Sequence, residues 1–320
     1  MKTTNKRILI SLENKGKRLD SFLAEHLRLS RSFIQKEISK KNILINGHFQ
    51  RSHYLLKESD EIHVSFFEEE KDLSIVPVPM DIKIIYEDDE IIIINKDAGI
   101  SVHPGAGTKE DTLAAGLLHY TKHLSNLPDK TRRGIVHRLD KDTSGCMVIA
   151  KTDEAFLNLK EQFLKRTIKK TYLAIIYGKL ERPHLKVDLP IGRHPVNRQK
   201  MSVHSLKKSR ASLTELFHIE NLGRFSLVKA KPMTGRTHQI RVHLCAIKHP
   251  ILGDKKYSRG RNLPINIEKP VRMMLHAVKL SIQHPKNCNK IDFEAPLAND
   301  FKETLESLKL HKDNMLHEYK

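Results

Sequence analysis

The strongest candidate for chemistry in the chain is the segment Gly134-Ile135-Val136-His137-Arg138-Leu139-Asp140-Lys141-Asp142-Thr143-Ser144-Gly145. It joins two apolar stretches through a dense polar loop, and loops held between rigid elements often carry reactive groups. Its residue types place a carboxylate, Asp140, beside the basic groups His137, Arg138 and Lys141. Carboxylates serve as nucleophiles and bases. Spacing alone goes no further, and a structural salt bridge accounts for the cluster equally well.

The other signals exclude more than they assign. Gly105-Ala106-Gly107 lacks the third glycine of a dinucleotide fingerprint, and no Gly-Lys-Ser/Thr is present for a P-loop. His238 and His243 are five residues apart, about 140° around a helix, so they cannot share a metal as an i, i+4 pair would. Cys146, Cys245 and Cys288 are isolated and form neither a zinc motif nor a disulfide framework. Each is expected to be a small core residue, and no metal site is expected.

The elements that must hold these residues follow from periodicity. Residues 16–66 read as a small independent module. Leu19, Phe22, Leu23 and Leu27 mark one face of a helix. A second helix starts at Ser30, a good N-cap, with Leu29 and Ile34 placed as a hydrophobic staple. Ile43-Leu44-Ile45 runs into an Asn46-Gly47 turn, and Ile62, Val64 and Phe66 alternate as in a half-buried strand. Residues 67–80, charged and then proline-spaced, read as a linker.

From residue 81 to 320 a second domain is expected. Strands are predicted over 82–86, 91–95, 146–150, 171–177, 225–231 and 273–282. Thr112 or Asp111 is expected to cap a helix reaching His119, and Thr152 one ending near Arg166. Thr237 is expected to cap a helix with Ile240, Leu244 and Ile247 inward and His238, Arg241 and Cys245 along another face. A last helix starts at Asn299 with Phe301, Leu305 and Leu308 inward. Strands and helices do not alternate regularly, so the expected class is α+β with a mixed, largely antiparallel sheet, preceded by the small α/β module.

Charge narrows the partner. The chain has 320 residues, with 57 Lys and Arg against 38 Asp and Glu, a net charge of +19 with neutral histidine. That excess favours a polyanion, and eight basic residues against three acidic ones fall between residues 15 and 41. An anionic membrane would want a basic amphipathic helix with large exposed apolar residues, and no clear one is present. Apolar runs such as Ile91 to Ile94 are far too short to span a bilayer. The first seven residues lack the features of a signal peptide, so a cytoplasmic location is expected. With no tryptophan, base stacking would fall to Tyr, Phe, His or Arg.

Two resemblances sharpen this reading. Arg18-Leu19-Asp20, Ser30-Arg31-Ser32 and Ile43-Leu44-Ile45-Asn46-Gly47, in that order, resemble an S4-type RNA-binding domain. That likeness implies that Arg18, Ser30 and Arg31 face RNA. The segment around Asp140 resembles the H-R-L-D-x-x-T-S/T-G loop of the RluA-type pseudouridine synthases. Three further segments agree in order: Asn95-Lys96-Asp97-Ala98-Gly99, in which Asp97 replaces the usual proline, Lys169-Lys170-Thr171-Tyr172-Leu173-Ala174, and Thr234-Gly235-Arg236-Thr237-His238-Gln239-Ile240-Arg241-Val242-His243. The likeness covers about residues 81 to 297.

The resemblance implies Asp140 as the catalytic carboxylate, Tyr172 as the active-site tyrosine and Arg241 as the partner of the aspartate. His137, Arg138, Arg236 and His238 are implied RNA contacts, with Arg138 filling the space of a flipped-out uridine. Pseudouridine formation breaks the N1–C1′ bond, turns the base and joins C5 to C1′. Nothing is oxidised and no group is imported, so no cofactor is expected. Asp140 could attack the sugar or take a proton from C2′, and the residues leave both routes open. In a closed pocket it needs a guanidinium within about 4–6 Å to stay ionised. Tyr172 could stack on the uracil and help remove the C5 proton.

Further segments, Val102 to Gly107, Leu117 to Tyr120, Leu189 to Pro195 and Met201 to His204, resemble the large-subunit pseudouridine synthase D group of that family. They imply 23S rRNA, or a precursor of the large ribosomal subunit, as partner, with uridines of the helix 69 stem-loop as targets. The enzyme is expected to act as a monomer. The rival readings are a non-catalytic RNA-binding or ribosome-assembly factor, a synthase acting at other 23S uridines, and a metal-dependent RNA hydrolase, against which activity surviving a chelator would argue.

Overall fold

The computed structural model describes residues 2–27, 29, 31–68, 75–104, 111–129, 131–197, 199–203, 209–258, 260 and 270–318. Ser30, Gly105 to Gly107 and His204 lie outside them, as do residues 69–74 of the expected linker. The chain divides into two compact units, Met1–Leu73 and Ser74–Lys320.

The first unit is a three-stranded antiparallel sheet with two helices. Strand β1 (Lys2–Leu9) is followed by α1 (Leu19–His26), α2 (Arg31–Ser39), β2 (Ile43–Ile45) and β3 (Glu61–Glu68), with β3 in the centre. The unit reaches further toward the N-terminus than residue 16, because β1 pairs along the whole of β3, Ile8 against Ile62. The alternation of Ile62, Val64 and Phe66 buries all three on Leu19, Leu23, Ile34 and Ile38 of the helices. Lys2 to Leu9 carries too few apolar residues to announce a strand. Its order comes from the β3 ladder, and β3 itself runs to Glu68, past the residue where a linker was expected to begin.

The second unit is built on a nine-stranded mixed sheet. Its elements are β4 (Ile84–Glu87), β5 (Ile91–Lys96), α3 (Leu113–Tyr120), β6 (Ser144–Ala150), α4 (Asp153–Lys165), β7 (Lys169–Tyr177), β8 (His184–Asp188), β9 (Gly192–Arg193), β10 (Met201–Ser202), β11 (Leu213–Leu222), β12 (Phe225–Pro232), α5 (Gln239–Ala246), β13 (Leu275–Gln283), β14 (Lys290–Glu294) and α6 (Asn299–Glu318). The spatial order is β4-β5-β6-β13-β7-β12-β11-β8, with β14 also on β13 and β9 and β10 forming a separate pair. Only β6 and β13 run parallel; the other pairings are antiparallel. Strands β8, β11 and β14 were not expected from the sequence. In β8 and β11 several charged residues interrupt the apolar pattern, since one face of this end of the sheet is only partly covered.

Strand β6 is covered on both faces. β6 is buried at every residue, Ser144 to Ala150, as central strands between two apolar layers are. One layer holds Phe156 and Leu159 of α4, and the other holds Leu113 and Leu117 of α3. Thr112 and Thr152 cap these helices by accepting from Ala115 N–H and Ala155 N–H. Phe301, Leu305 and Leu308 of α6 pack on Phe225, Leu227 and Ile175.

Two sequence expectations are corrected. Cys288 is exposed rather than buried, in the turn between β13 and β14, in the left-handed region at φ 59°. Thr237 does not cap α5. His238 holds the cap position at φ 56°, and the Gln239 side chain reaches back to accept from Arg236 N–H at 3.0 Å. Among the described residues no helix is long and apolar enough to cross a membrane.

Candidate active site

Asp140 stands at the mouth of β6, in a turn closed by Thr143 N–H donating to the Asp140 carbonyl at 3.1 Å. Two buried cations clamp this turn from below. The Lys96 ammonium, at the end of β5, donates to the carbonyls of Asp97 at 2.6 Å, Ile100 at 2.9 Å and Lys141 at 3.1 Å. These three acceptors use all its protons, while burial pulls its pKa down to about 7. Arg272 donates to the Asp142 carbonyl at 3.3 Å and is held by both oxygens of Asp300, at 2.5 and 2.7 Å. Gly145 follows at φ 116°, where a Cβ would strike the backbone of Ala277. Only glycine lets β13 approach this closely.

Helix α5 supplies the counter-charge. Arg241 donates from Nη1 to Asp140 Oδ2 at 2.7 Å, a charge-assisted hydrogen bond. The same guanidinium makes a two-pronged pair with Asp254, Nε to Oδ2 at 2.7 Å and Nη2 to Oδ1 at 2.9 Å. Burial works against the charge of Arg241, but the two carboxylates outweigh it and hold its pKa above the ordinary value. Asp254 is fully buried and also accepts from the N–H groups of Lys256 and Tyr257, at 3.0 and 3.2 Å. The Tyr257 ring lies 5.1 Å from the guanidinium carbon.

The expected neighbours converge unevenly. Tyr172, on β7, lines the same cavity as Asp140 and Arg241, a space of about 500 Å³. Burial, then the Asp140 charge, push its phenol above the usual range. His238 places Nε2 3.9 Å from Asp140 Oδ2 and Nδ1 2.9 Å from the Tyr257 hydroxyl. Burial pulls it down to about 4 against the opposing pull of Asp140, so its ring is neutral at neutral pH. Arg138 and Arg236 line the cavity. Arg138 is exposed and rests one guanidinium nitrogen 3.4 Å from His103 Nε2, and Arg236 donates to the Ala211 carbonyl at 3.3 Å.

His137 is tied more tightly than an RNA contact requires. Its Nε2 accepts from Val148 N–H at 3.1 Å, its ring packs on Phe163, and burial pulls it down to about 3. It therefore meets the cavity as a neutral ring with one nitrogen spent on β6. His243 is a core residue, bonded to Thr214 Oγ1 and the Leu189 carbonyl, both at 2.9 Å. In the first unit, Arg18 and Arg31 share the buried Asp20, at 3.0 and 2.9 Å, with Gln35 at 2.6 Å. Burial would raise the Asp20 carboxyl, but these donors hold it below the usual range. Both arginines stay about half exposed.

Asp254 is the residue that sequence reasoning missed. Its signal was a Gly-Asp pair closing the apolar run Ile251-Leu252. Gly253 sits at φ 77°, where a Cβ would strike the Arg272 carbonyl, so the turn that delivers Asp254 depends on glycine. Among the described residues no group of three or more His, Cys, Asp or Glu side chains could hold a metal ion.

Comparison with known proteins places this geometry. Residues 90–246 match the family model described as RNA pseudouridylate synthase. An RNA pseudouridine synthase of Bacillus subtilis is 36% identical over 303 residues, 94% of this chain and 97% of its own. The ribosomal large subunit pseudouridine synthase D of Nitrosomonas europaea is 39% identical over 298 residues, 92% of this chain and 85% of its own. Among solved structures, human RNA pseudouridylate synthase domain containing 4 superposes with a TM-score of 0.57 at 27% identity, covering 71% of this chain and 93% of that one. A paired carboxylate and guanidinium beside a tyrosine, on a mixed sheet shared with these proteins and in a sequence related to theirs along nearly its whole length, leaves one assignment: this chain belongs to the RluA-type RNA pseudouridine synthases.

Proposed function

We propose that this pseudouridine synthase acts on the RNA of the large ribosomal subunit, at uridines of the helix 69 stem-loop of 23S rRNA, with Asp140 as its catalytic residue. The observation that carries the role of Asp140 is its 2.7 Å pair with Arg241 at a cavity that also holds Tyr172. The pair aims the carboxylate into the cavity, as attack on C1′ or removal of the C2′ proton each requires. Tyr172 enters as a neutral phenol. It can lie on the uracil ring and pass a proton on as it accepts one from C5, but it does not start as a phenolate base. Arg138, exposed at the rim, is suited to fill the gap left by an extruded base, and extrusion costs least where a base is already partly unstacked. A hairpin loop offers such bases.

The ribosomal target is supported by relatives named for the large ribosomal subunit and by the segments shared with that group. The first unit, S4-like in order, would meet the RNA backbone through Arg18 and Arg31, whose outer faces remain free for phosphate.

The test is pseudouridine mapping of rRNA from cells lacking the protein, complemented with wild type or with Asp140→Asn. Helix 69 modification should vanish, return with wild type and stay absent with the variant. Intact helix 69 with losses at other 23S sites would overturn the target. Restoration by Asp140→Asn would overturn the catalytic assignment.

A further inference from the structure

The cavity is larger and more basic than one uracil requires. Its volume of about 500 Å³ is that of pockets that bury drug-sized ligands. Beyond Asp140, Tyr172 and Arg241 it continues to the end of α4 and the turn after β12, where Phe163, Leu164, Arg166, Lys170 and Met233 line it. Leu164 is 81% exposed and Met233 50% exposed, an unusual position for two large apolar side chains at the rim of a charged pocket.

The charge at this end is unbalanced. Arg138, Arg166, Lys170 and Arg236 all line the cavity, and none has a carboxylate partner among the described residues. Lys170 is the most telling. It is two residues before Tyr172 on β7, so both side chains leave the same face of the sheet. Its ammonium lies over Gly235, 3.7 Å from where a Cβ would stand. Burial pulls its pKa down, with no opposing anion. A half-buried cation held without a counter-ion is a site for one. Arg166 adds a second cation from a left-handed position, φ 60°, that usually belongs to glycine.

We propose that this end of the cavity is a subsite for the nucleotide next to the target uridine, with its phosphate facing Lys170 and Arg166 and its base lying on Leu164 and Met233. The inference rests on the proposed reaction at Asp140 and deepens it. The occupant is a second unit of the same RNA strand, because the groove is continuous with the uridine site and carries the opposite charge to a phosphate. Apolar packing against a base face tolerates any base, so the subsite would favour an unpaired neighbour over a particular sequence.

The test uses the full-length protein and synthetic hairpins carrying a uridine that the wild-type enzyme converts. One hairpin is intact, and others have an abasic ribose on either side of the target. Leu164→Ser combined with Met233→Ser, both at exposed positions, should lower kcat/KM on the intact hairpin about five- to tenfold, the low end of what stacking on one base is worth. Wild type should suffer the same loss on one of the abasic hairpins, and there the double variant should lose nothing more. Penalties that multiply would overturn the subsite, as would a double variant with unchanged kcat/KM. Lys170→Met should flatten the salt dependence of RNA binding by about 0.7–0.9 in the log–log slope, and an unchanged slope would remove the phosphate from Lys170. Failure of the proposed catalytic role looks different. Asp140→Asn would then keep turning over RNA, while coupling between the rim and the neighbouring base would still be measurable.

Discussion

Asp254 touches no substrate position, yet its replacement should slow the reaction. In Asp254→Asn the remaining oxygen keeps the place of Oδ1, which accepts from Arg241 Nη2, Lys256 N–H and Tyr257 N–H. The new amide NH₂ then faces Arg241 Nε, donor against donor, where a 2.7 Å charge-assisted bond stood. Losing one such bond is worth about 1.5–3 kcal/mol. Arg241 would be free to swing, and its Nη1 would no longer be fixed on Asp140. If the whole loss falls on the transition state, kcat drops roughly 10- to 100-fold. KM should change less than about twofold, because Asp254 is 1% exposed and cannot reach RNA. The assay is the initial rate of pseudouridine formation over a range of RNA concentrations, paired with urea unfolding of the same preparation. A kcat within twofold of wild type, in a protein whose unfolding midpoint shows that the bond is broken, would refute the idea that Asp254 positions Arg241.

Three further outcomes are expected. Arg241→Lys should be nearly as damaging as Asp140→Asn, since one ammonium cannot serve Asp140 and both oxygens of Asp254; turnover rates at saturating RNA decide it, and near-normal rates would dismiss the pairing. Deleting residues 1–73 should lower the salt slope of RNA binding by about 0.7–0.9 for each phosphate that the first unit neutralises, with a smaller effect on turnover at saturating RNA; the second unit keeps its own cores, and an unchanged slope would give the first unit another task. His276 is fully buried between Ser144 Oγ at 2.9 Å and the Ala295 carbonyl at 3.3 Å, and burial pulls its pKa down to about 4. The unfolded chain binds this proton near pH 6.5 and the folded chain does not, so stability should fall as pH drops from 6.5 toward 4, by about 3 kcal/mol at most; urea unfolding across that window should show a shallower fall in His276→Gln, and an equal fall would clear His276.

Much of this was legible because local chemistry and final structure agree. Thr152 announced α4 through its side-chain oxygen, and Phe301, Leu305 and Leu308 announced the inner face of α6 by their spacing. Asp140, Tyr172 and Arg241 could be paired only through family resemblance, because they are 32 and 69 residues apart along the chain and nothing local joins them. Asp254 was invisible for the same reason, since its role exists only once α5 has packed beside its turn. Strand β1 was missed because its order is borrowed from β3. The cap of α5 was misread because His238, in a left-handed conformation, holds the cap position with no side-chain hydrogen bond to the helix. His137 was an RNA contact by resemblance alone, and only the sheet shows that Val148 already occupies one of its nitrogens.

The clamp beneath Asp140 sets the order in which the molecule can come to life. Lys96 is made before the turn it grips, but Arg241, Arg272 and the Asp300 that fixes Arg272 are all made after it. A chain leaving the ribosome at about 5–20 residues per second exposes Asp140 roughly 8–30 seconds before Asp300 follows. Its guanidinium, Arg241, follows 101 residues after it, about 5–20 seconds later at the same rate, and the Arg272–Asp300 anchor is complete only at the end of the interval. An enzyme whose substrate is RNA emerges beside the ribosome's own RNA, and the carboxylate–guanidinium pair and the clamp beneath it are completed only after these late residues have been made.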